Sequence, residues 1–173
     1  MRLSISYRAS QFWKALAAAP TQTDLDMAKE LLPPKLMDLF LSMQPSEQAH
    51  SIQVCSRLIE NGQESQDLLV AALLHDLGKS RHPLHAWERV LIVIVQKLSA
   101  TQLERWGKGD VQSWKRPFVV AAQHPSWGAE MAQQAGASDL TVRLILRHQE
   151  ACPNFETPED ELLRCLQQID NES

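Results

Sequence analysis

Residues 68–79 have the sequence LLVAALLHDLGK, and this apolar run with its His-Asp pair decides how the chain folds. Its first seven residues are all apolar, which predicts a helix buried on every side, with His75 and Asp76 in its last turn. An ionised Asp at that position faces the negative end of the helix dipole and loses hydration on burial. A bound cation would offset both costs, because imidazole and carboxylate are common ligands of Zn, Mn and Fe. The alternative for an isolated pair is structural, namely a hydrogen-bonded His steadied by its neighbour.

Further residues of metal-ligand type stand at the ends or on the inner faces of other predicted helices. They are well separated along the sequence: His50, His124, His148 and Asp170. The two histidines left over, His82 and His85, lie in the polar stretch RHPLHAW and are interpreted as loop residues. The set as a whole therefore favours a metal site more strongly than any one member does.

The order of a His, a His-Asp doublet and a distant Asp resembles the HD superfamily of metal-dependent phosphohydrolases. LLHDLGK is a close match to the core motif of that family. His124 in HPSWGAEMA and His148 in LILRHQE look like the two additional histidines with which the dinuclear branch binds a second metal. The similarity extends from about Gln48 to Asp170.

The resemblance implies an enzyme with two divalent metal ions, Fe or Mn, with Mg or Zn as alternatives. Its nucleophile would be a metal-bound hydroxide, since two adjacent cations lower the pKa of a shared water and neutralise phosphate charge. The ligand sets it implies are His50, His75, Asp76 and Asp170 on one metal, and His124, His148 and the bridging Asp76 on the other.

Two basic residues are candidates for contact with the substrate. Lys79 belongs to the core motif beside Asp76, and it is expected to meet a substrate phosphate, although a Lys at this helix end also suits the dipole. Arg57 follows His50 by nearly two helical turns, so it is expected to face the same cavity. Asp76 and Lys79 are thus the candidate catalytic residues.

Four of the ligands that the resemblance implies also have a purely structural interpretation. His50 could be a satisfied core histidine, and His124 could cap a helix that begins at Pro125. His148 could serve only to complement a helix dipole. Asp170 is followed by three residues in this sequence, so it could belong to a solvated tail.

Composition and periodicity predict an all-α fold, and the resemblance makes it a compact HD-domain helical bundle with extra N-terminal helices. The 173 residues, 44% hydrophobic and 22% charged, are enough for one sizeable core. We expect residues 1–44 to form a helical extension packed on the core, and residues 45–173 to form the phosphohydrolase domain. The extension should hold ASQFWKALAAA, TDLDMAKELL and KLMDLFLSM as helices.

Two later segments are ambiguous. AWERVLIVIVQKL has the β-branched residues of a strand, but it has no evident partner strand and continues at helical spacing, so a helix is predicted. The polar stretch 99–117 is interpreted as a solvated loop anchored by Trp106 and Trp114, with a lid over substrate phosphates as the alternative.

Charge and cysteine content narrow the possible partners and the compartment. A net charge of −4 argues against sequence-independent binding of nucleic acid. Cys55, Cys152 and Cys165 are odd in number and form no CxxC pair, which predicts reduced thiols in a cytoplasmic protein. The apolar run VLIVIV is six residues long and too short to cross a membrane. The oligomeric state is left open.

The expected partner is therefore a small phosphorylated substrate. RHQEACPNFETPED lacks the Gly-Tyr-Pro motif of the cyclic-di-GMP phosphodiesterases of the superfamily. The ligand layout is closer to the small dinuclear hydrolases that cut diadenosine tetraphosphate, so a nucleotide or dinucleotide polyphosphate ranks first and a nucleoside monophosphate second. The alternative is a catalytically weak or inactive regulatory or scaffold module, as in superfamily members that have lost ligands. The presence of all six ligand positions favours the enzyme.

Overall fold

The structure, a computed structural model, describes residues 18–151 and 157–173 and is helical throughout that part of the chain. This confirms the all-α prediction. The α-helices there are α1 (Gln22–Leu31), α2 (Pro34–Leu41), α3 (Pro45–Glu60), α4 (Gln66–Leu74), α5 (Ala86–Leu98), α6 (Ala100–Gly107), α7 (Arg116–Gln134), α8 (Asp139–Arg147) and α9 (Pro158–Glu172), and a 3-10 helix spans Leu77–Arg81. The predicted helix ASQFWKALAAA falls almost entirely outside the described residues.

The apolar helix α4 is the centre of the bundle. Every residue from Leu68 to Leu74 is buried, as its sequence predicts. Helices α1, α3, α8 and α9 pack around it. Ser65 caps its first turn by accepting from the backbone N–H of Leu68. The helix ends at Leu74, so Asp76 lies just beyond it, at the start of the 3-10 helix, and the expectation of Asp76 in the last helical turn is wrong.

Helices α1 and α2 belong to the same hydrophobic core as the rest of the bundle. They contribute the buried side chains of Ala28, Leu36 and Phe40, and Leu32 between them is buried as well. Thr21 begins α1 with a capping box closed by Asp24. The described part of residues 1–44 is thus packed on the core, while a domain boundary at residue 44 stays a prediction.

The ambiguous segment AWERVLIVIVQKL forms helix α5, which confirms the helical interpretation. Two ion pairs with buried carboxylates attach this helix to the bundle. Glu88 of α5 pairs with Arg116 of α7 at 2.5 Å, and Arg89 of α5 pairs with Glu47 of α3 at 2.9 Å. His85, predicted to be a loop residue, is the N-cap of α5, and its backbone N–H donates to Glu88. Within the described ranges, no helix is both long enough and apolar enough to span a membrane.

The interpretation of residues 99–117 as a loop is wrong for its first half, which forms α6. Ser99 caps this helix by accepting from the backbone N–H of Gln102. The polar composition hid the helix, because its stability depends on contacts with α5 and α7 that local sequence does not reveal. The two tryptophans do anchor the segment, since the Trp106 ring lies 5.1 Å from Trp114 and 4.8 Å from Phe118.

The turn after α4 approaches α7 at two glycines. A Cβ on Gly78 would lie 2.0 Å from the carbonyl oxygen of His124 and 2.7 Å from the backbone nitrogen of Gly128. A Cβ on Gly128 would lie 3.0 Å from the nitrogen of Gly78. These distances are shorter than side chains tolerate, so the two backbones approach this closely because both residues are glycine. The contact sets how near Asp76 comes to His124.

Replacing Gly78 with Ala should therefore force the 3-10 helix away from α7. We expect the free energy of unfolding to fall by about 3 kcal/mol in urea denaturation, because separating the two backbones disrupts the packing between them. Gly62→Ala is the matched control, since its Cβ enters open space and only its positive φ opposes the change, at a cost of about 1 kcal/mol. Equal losses for the two variants would contradict the close approach.

Candidate metal centre

Six side chains that are far apart in sequence meet in the interior of the bundle. They come from five places in the fold: α3 (His50), the end of α4 (His75 and Asp76), α7 (His124), the end of α8 (His148) and α9 (Asp170). These are the six residues that the sequence analysis proposed as metal ligands. The structure brings all of them together, and their function as ligands stays a prediction.

One half of the cluster lies between α3, α4 and α9. The Nε2 atom of His50 is 2.8 Å from Oδ1 of Asp170. The Nε2 atom of His75 is 3.5 Å from the same Asp170 oxygen and 3.7 Å from Oδ2 of Asp76. Asp170 is thus an ordered part of the cluster on α9, and the alternative of a solvated tail does not describe it.

The other half lies between the turn after α4, helix α7 and the end of α8. Oδ1 of Asp76 is 3.3 Å from Nε2 of His124, which is also 3.3 Å from Nε2 of His148. The donor atoms of His50, His75 and Asp76 lie within 4.8 Å of one another, and so do those of Asp76, His124 and His148. The two groups share Asp76, which is the arrangement that the resemblance implies for two cations bridged by one carboxylate.

The orientation of three imidazoles is set by backbone carbonyl groups. The Nδ1 atom of His75 lies 2.9 Å from the carbonyl oxygen of Ala72, and that of His148 lies 2.7 Å from the oxygen of Ile145. A carbonyl oxygen can only accept, so Nδ1 carries a proton in each ring and Nε2 is the nitrogen that faces the cluster. This is the arrangement in which metal-bound histidines usually occur.

His124 reaches the same orientation by a different route, because it lies inside α7 and precedes Pro125. Proline has no N–H, so the carbonyl oxygen of Ala121, four residues earlier, loses its usual helical donor. Nδ1 of His124 lies 3.0 Å from that oxygen and 3.1 Å from the oxygen of Val120. The alternative in which His124 merely caps a helix beginning at Pro125 is wrong.

The two histidines of the group Asp76, His124 and His148 are held neutral by their surroundings. Burial, reinforced by the neighbouring imidazoles of His75 and His124, lowers the pKa of His148 to about 3. Burial also lowers the pKa of His124, although Asp76 opposes the shift. A neutral imidazole is the form that binds metal, so both rings are in the competent form near neutral pH.

The other group, His50, His75 and Asp76 with the adjoining Asp170, carries a strong negative potential. Burial opposes protonation of His75, but the carboxylates of Asp76 and Asp170 outweigh burial and raise its pKa to about 9. Burial alone would raise the pKa of Asp76, yet Lys79 and His75 hold it well below its usual value. Both carboxylates therefore stay ionised, and the field that attracts a proton to His75 would equally attract a metal cation.

The Nε2 atom of His75 indicates whether the residues of the cluster fit a metal ion. Nε2 of His75 is buried and makes no hydrogen bond, although buried polar atoms nearly always have a partner. It faces the oxygens of Asp76 and Asp170 at distances too long for a hydrogen bond of good geometry. A cation between these donors would satisfy all of them, so the residues present fit a bound metal.

The two predicted substrate contacts have different positions. Nζ of Lys79 lies 2.6 Å from Oδ2 of Asp76, at the edge of the cluster. Arg57 instead binds the end of α9, with Nη2 2.7 Å from Glu172 and Nη1 3.0 Å from Ser173. The structure therefore does not bring Arg57 into the cavity as expected, because these contacts draw its guanidinium to the helix that carries Asp170.

A second group of charges holds the start of α9. Arg147, at the end of α8, binds Glu159 at 2.7 Å and Asp160 at 2.8 Å in the first turn of α9. Thr157 caps the same turn in a capping box with Asp160. Because His148 follows Arg147 directly, these contacts fix the position of His148 relative to the helix that carries Asp170.

Two residues near the cluster were missed by the sequence analysis. Glu47 lies one turn before His50 on α3, and one of its carboxylate oxygens is buried without a hydrogen bond. Burial raises the pKa of Glu47, against the opposing charges of Lys79 and Arg89. Gln149 places its amide nitrogen 3.5 Å from Nε2 of His124. Helical spacing from His50 and adjacency to His148 were the signals that could have found them.

Comparison with known proteins identifies the family. The HD domain family model matches residues 48–173, close to the extent of the resemblance noted in the sequence, and the protein therefore belongs to the HD domain family. Members of this family are generally hydrolases that bind divalent metals. No match was found among curated proteins, and none was found among solved structures.

The position of Arg57 generates a prediction about metal affinity. In Arg57→Ala, the end of α9 loses its contacts at Glu172 and Ser173, and the orientation of Asp170 is less well determined. We expect the affinity for Mn to fall by up to about tenfold in competition with a fluorescent chelator. Arg105→Ala, on the exposed side of α6, should bind as the parent does. Unchanged affinity in Arg57→Ala would mean that the contacts with His50 and His75 are enough to orient Asp170.

Proposed function

We propose that the protein is a metal-dependent phosphohydrolase that cleaves a phosphate ester or anhydride of a small phosphorylated molecule, most simply a nucleotide. The observation that carries this proposal is the pair of His/Asp donor groups that share Asp76 in the interior of an HD domain. Three imidazoles direct their Nε2 atoms into these groups. Two carboxylates complete a donor set that suits Mn, Fe or Zn.

His50, His75, Asp76 and Asp170 would hold one divalent cation, and Asp76, His124 and His148 would hold the other. Cations in these positions would supply Lewis-acid activation of water and neutralisation of phosphate charge. The protein's own contribution is to keep Asp76 and Asp170 ionised and His124 and His148 neutral, and to fix the directions of the donor atoms before substrate arrives. The burial of His75, Asp76, His124 and His148 also excludes bulk water, which strengthens electrostatic interactions in the site.

Lys79 is the candidate for direct contact with the substrate phosphate. It is the Lys of the HDLGK motif, and its ammonium group lies beside a carboxylate of the cluster. Its side chain is 23% exposed, so the ammonium group can reach a ligand at the mouth of the site. An ammonium group there can donate hydrogen bonds to phosphate oxygens and balance their charge.

Substitution of Asp76 separates the enzyme from the scaffold alternative. Asp76→Ala removes the carboxylate that both donor groups share, so metal content by mass spectrometry should fall from close to two Mn or Fe per chain to almost none. Hydrolysis of p-nitrophenyl phosphate and bis-p-nitrophenyl phosphate should be lost with it. Asp38→Ala, on an exposed face of α2, is the control and should change neither quantity. Parent protein that is folded, free of metal after Mn loading, and inert would support a scaffold role instead.

Substitution of Lys79 separates substrate binding from metal binding. In Lys79→Gln, metal content should be retained while kcat/KM for a phosphomonoester falls roughly 10- to 150-fold, the value of one hydrogen bond to a charged group. Steady-state kinetics on the Mn-loaded protein measures this directly. A loss of metal together with activity would show that Lys79 supports Asp76 and does not bind phosphate.

A further inference from the structure

A cavity of about 570 Å³ lies directly beside the metal centre, within the size range of small-molecule sites. His148 and Asp170 form part of its lining, so a molecule bound there reaches both halves of the cluster. The remaining lining comes from two parts of the fold. One part is helices α5, α6 and α7, and the other is the turn after α8 together with helix α9. This cavity is where the organic part of a substrate would lie.

The lining supplied by α5, α6 and α7 is mainly apolar. Ile92 of α5, Leu103 of α6 and Ala121 of α7 give it a hydrophobic surface close to the cluster. Such a surface favours a flat or apolar group over a hydrated, charged one, because contact with it releases water. The phosphate group must therefore lie at the cluster and the organic group along this surface.

The lining supplied by the turn after α8 and by α9 is rich in hydrogen-bond acceptors. The amide nitrogen of Gln167 donates to the backbone oxygen of Glu150 at 2.8 Å, and that of Asn171 donates to the oxygen of Gln167 at 2.7 Å. Each of these amide groups has an N–H engaged in this way, and each carbonyl oxygen remains available as an acceptor. A ligand that presents hydroxyl or amino groups would match them, whereas phosphate oxygens would not.

The charged side chains that line the cavity are all acidic within the described residues. Glu104 and Glu150 both line the cavity, and within the described residues no Lys or Arg does. Glu150 pairs with Arg147 at 3.1 Å, but Arg147 also binds Glu159 and Asp160, so it does not neutralise all three. A substrate that extended further phosphates into this cavity would place them against carboxylates without a cation in between.

We infer that the cavity selects substrates with a single phosphate on an uncharged, hydroxyl-bearing organic group, as in a nucleoside monophosphate, and rejects polyphosphates through Glu104 and Glu150. This inference rests on the proposed function. It reverses the order expected from sequence, in which a nucleotide or dinucleotide polyphosphate ranks first. The reason is that the sequence reveals the ligands of the metals but not the charge of the wall beside them.

The test compares AMP, ADP and ATP as substrates of the Mn-loaded protein. We expect kcat/KM to fall by about tenfold or more from AMP to ATP, because each added phosphate meets like charge in the cavity. In the double variant Glu104→Gln, Glu150→Gln, the ratio of kcat/KM for ATP to kcat/KM for AMP should rise by about tenfold. The control is Glu30→Gln, Glu64→Gln, two exposed acids outside the cavity lining, which should leave both values unchanged.

A binding measurement tests the cavity without catalysis. Calorimetric titration with adenosine, which carries no phosphate, should give saturable binding that is weakened about tenfold in Gln167→Leu, where the carbonyl acceptor is lost. Hydrolysis of p-nitrophenyl phosphate with equal kcat/KM for AMP and ATP, or with ATP preferred, would overturn the inference and leave the proposed function standing. A Mn-loaded protein that hydrolyses none of the four compounds would overturn the proposed function itself.

Discussion

The whole centre depends on the contact between the backbone at Gly78 and the backbone of α7. Without side chains at Gly78 and Gly128, the turn that carries Asp76 lies against the helix that carries His124. The two halves of the donor cluster meet at this point, because Asp76 belongs to both. The burial of α4 provides the energy that holds the turn in place, since the helix is apolar on every side and fixed by its neighbours.

The remaining candidate ligands are positioned by polar contacts at helix ends. Arg147 ties the end of α8 to the start of α9, and Arg57 ties α3 to the last turn of α9. Both pairs are partly exposed, so each contributes little to the free energy of unfolding by itself. Their importance is geometric, because they determine where His148 and Asp170 lie. Metal binding is therefore expected to respond to these contacts more strongly than stability does.

Much of this arrangement could be predicted from sequence, and the failures have physical causes. The buried α4 and the positions of the six candidate ligands follow from an uninterrupted apolar run and from a resemblance carried by short motifs. Helix α6 was missed because its polar residues resemble a loop until α5 and α7 are seen to pack on it. Arg57 was expected in the cavity because helical spacing predicts which side of α3 a residue lies on. It does not predict which residue its side chain will bind, and the guanidinium group of Arg57 binds Glu172. The negative cavity lining was invisible, since it is assembled from helices distant in the chain.

Pro125 has a consequence that reaches beyond the shape of α7. By withholding an amide hydrogen from the carbonyl of Ala121, it leaves an acceptor that the ring of His124 fills through Nδ1. An alanine at this position would restore the backbone donor and compete for the same oxygen, so the ring would keep only the oxygen of Val120 to itself. The proline therefore favours one tautomer of the preceding residue, because the backbone proton that it lacks leaves Nδ1 a second acceptor and turns Nε2 toward the cluster.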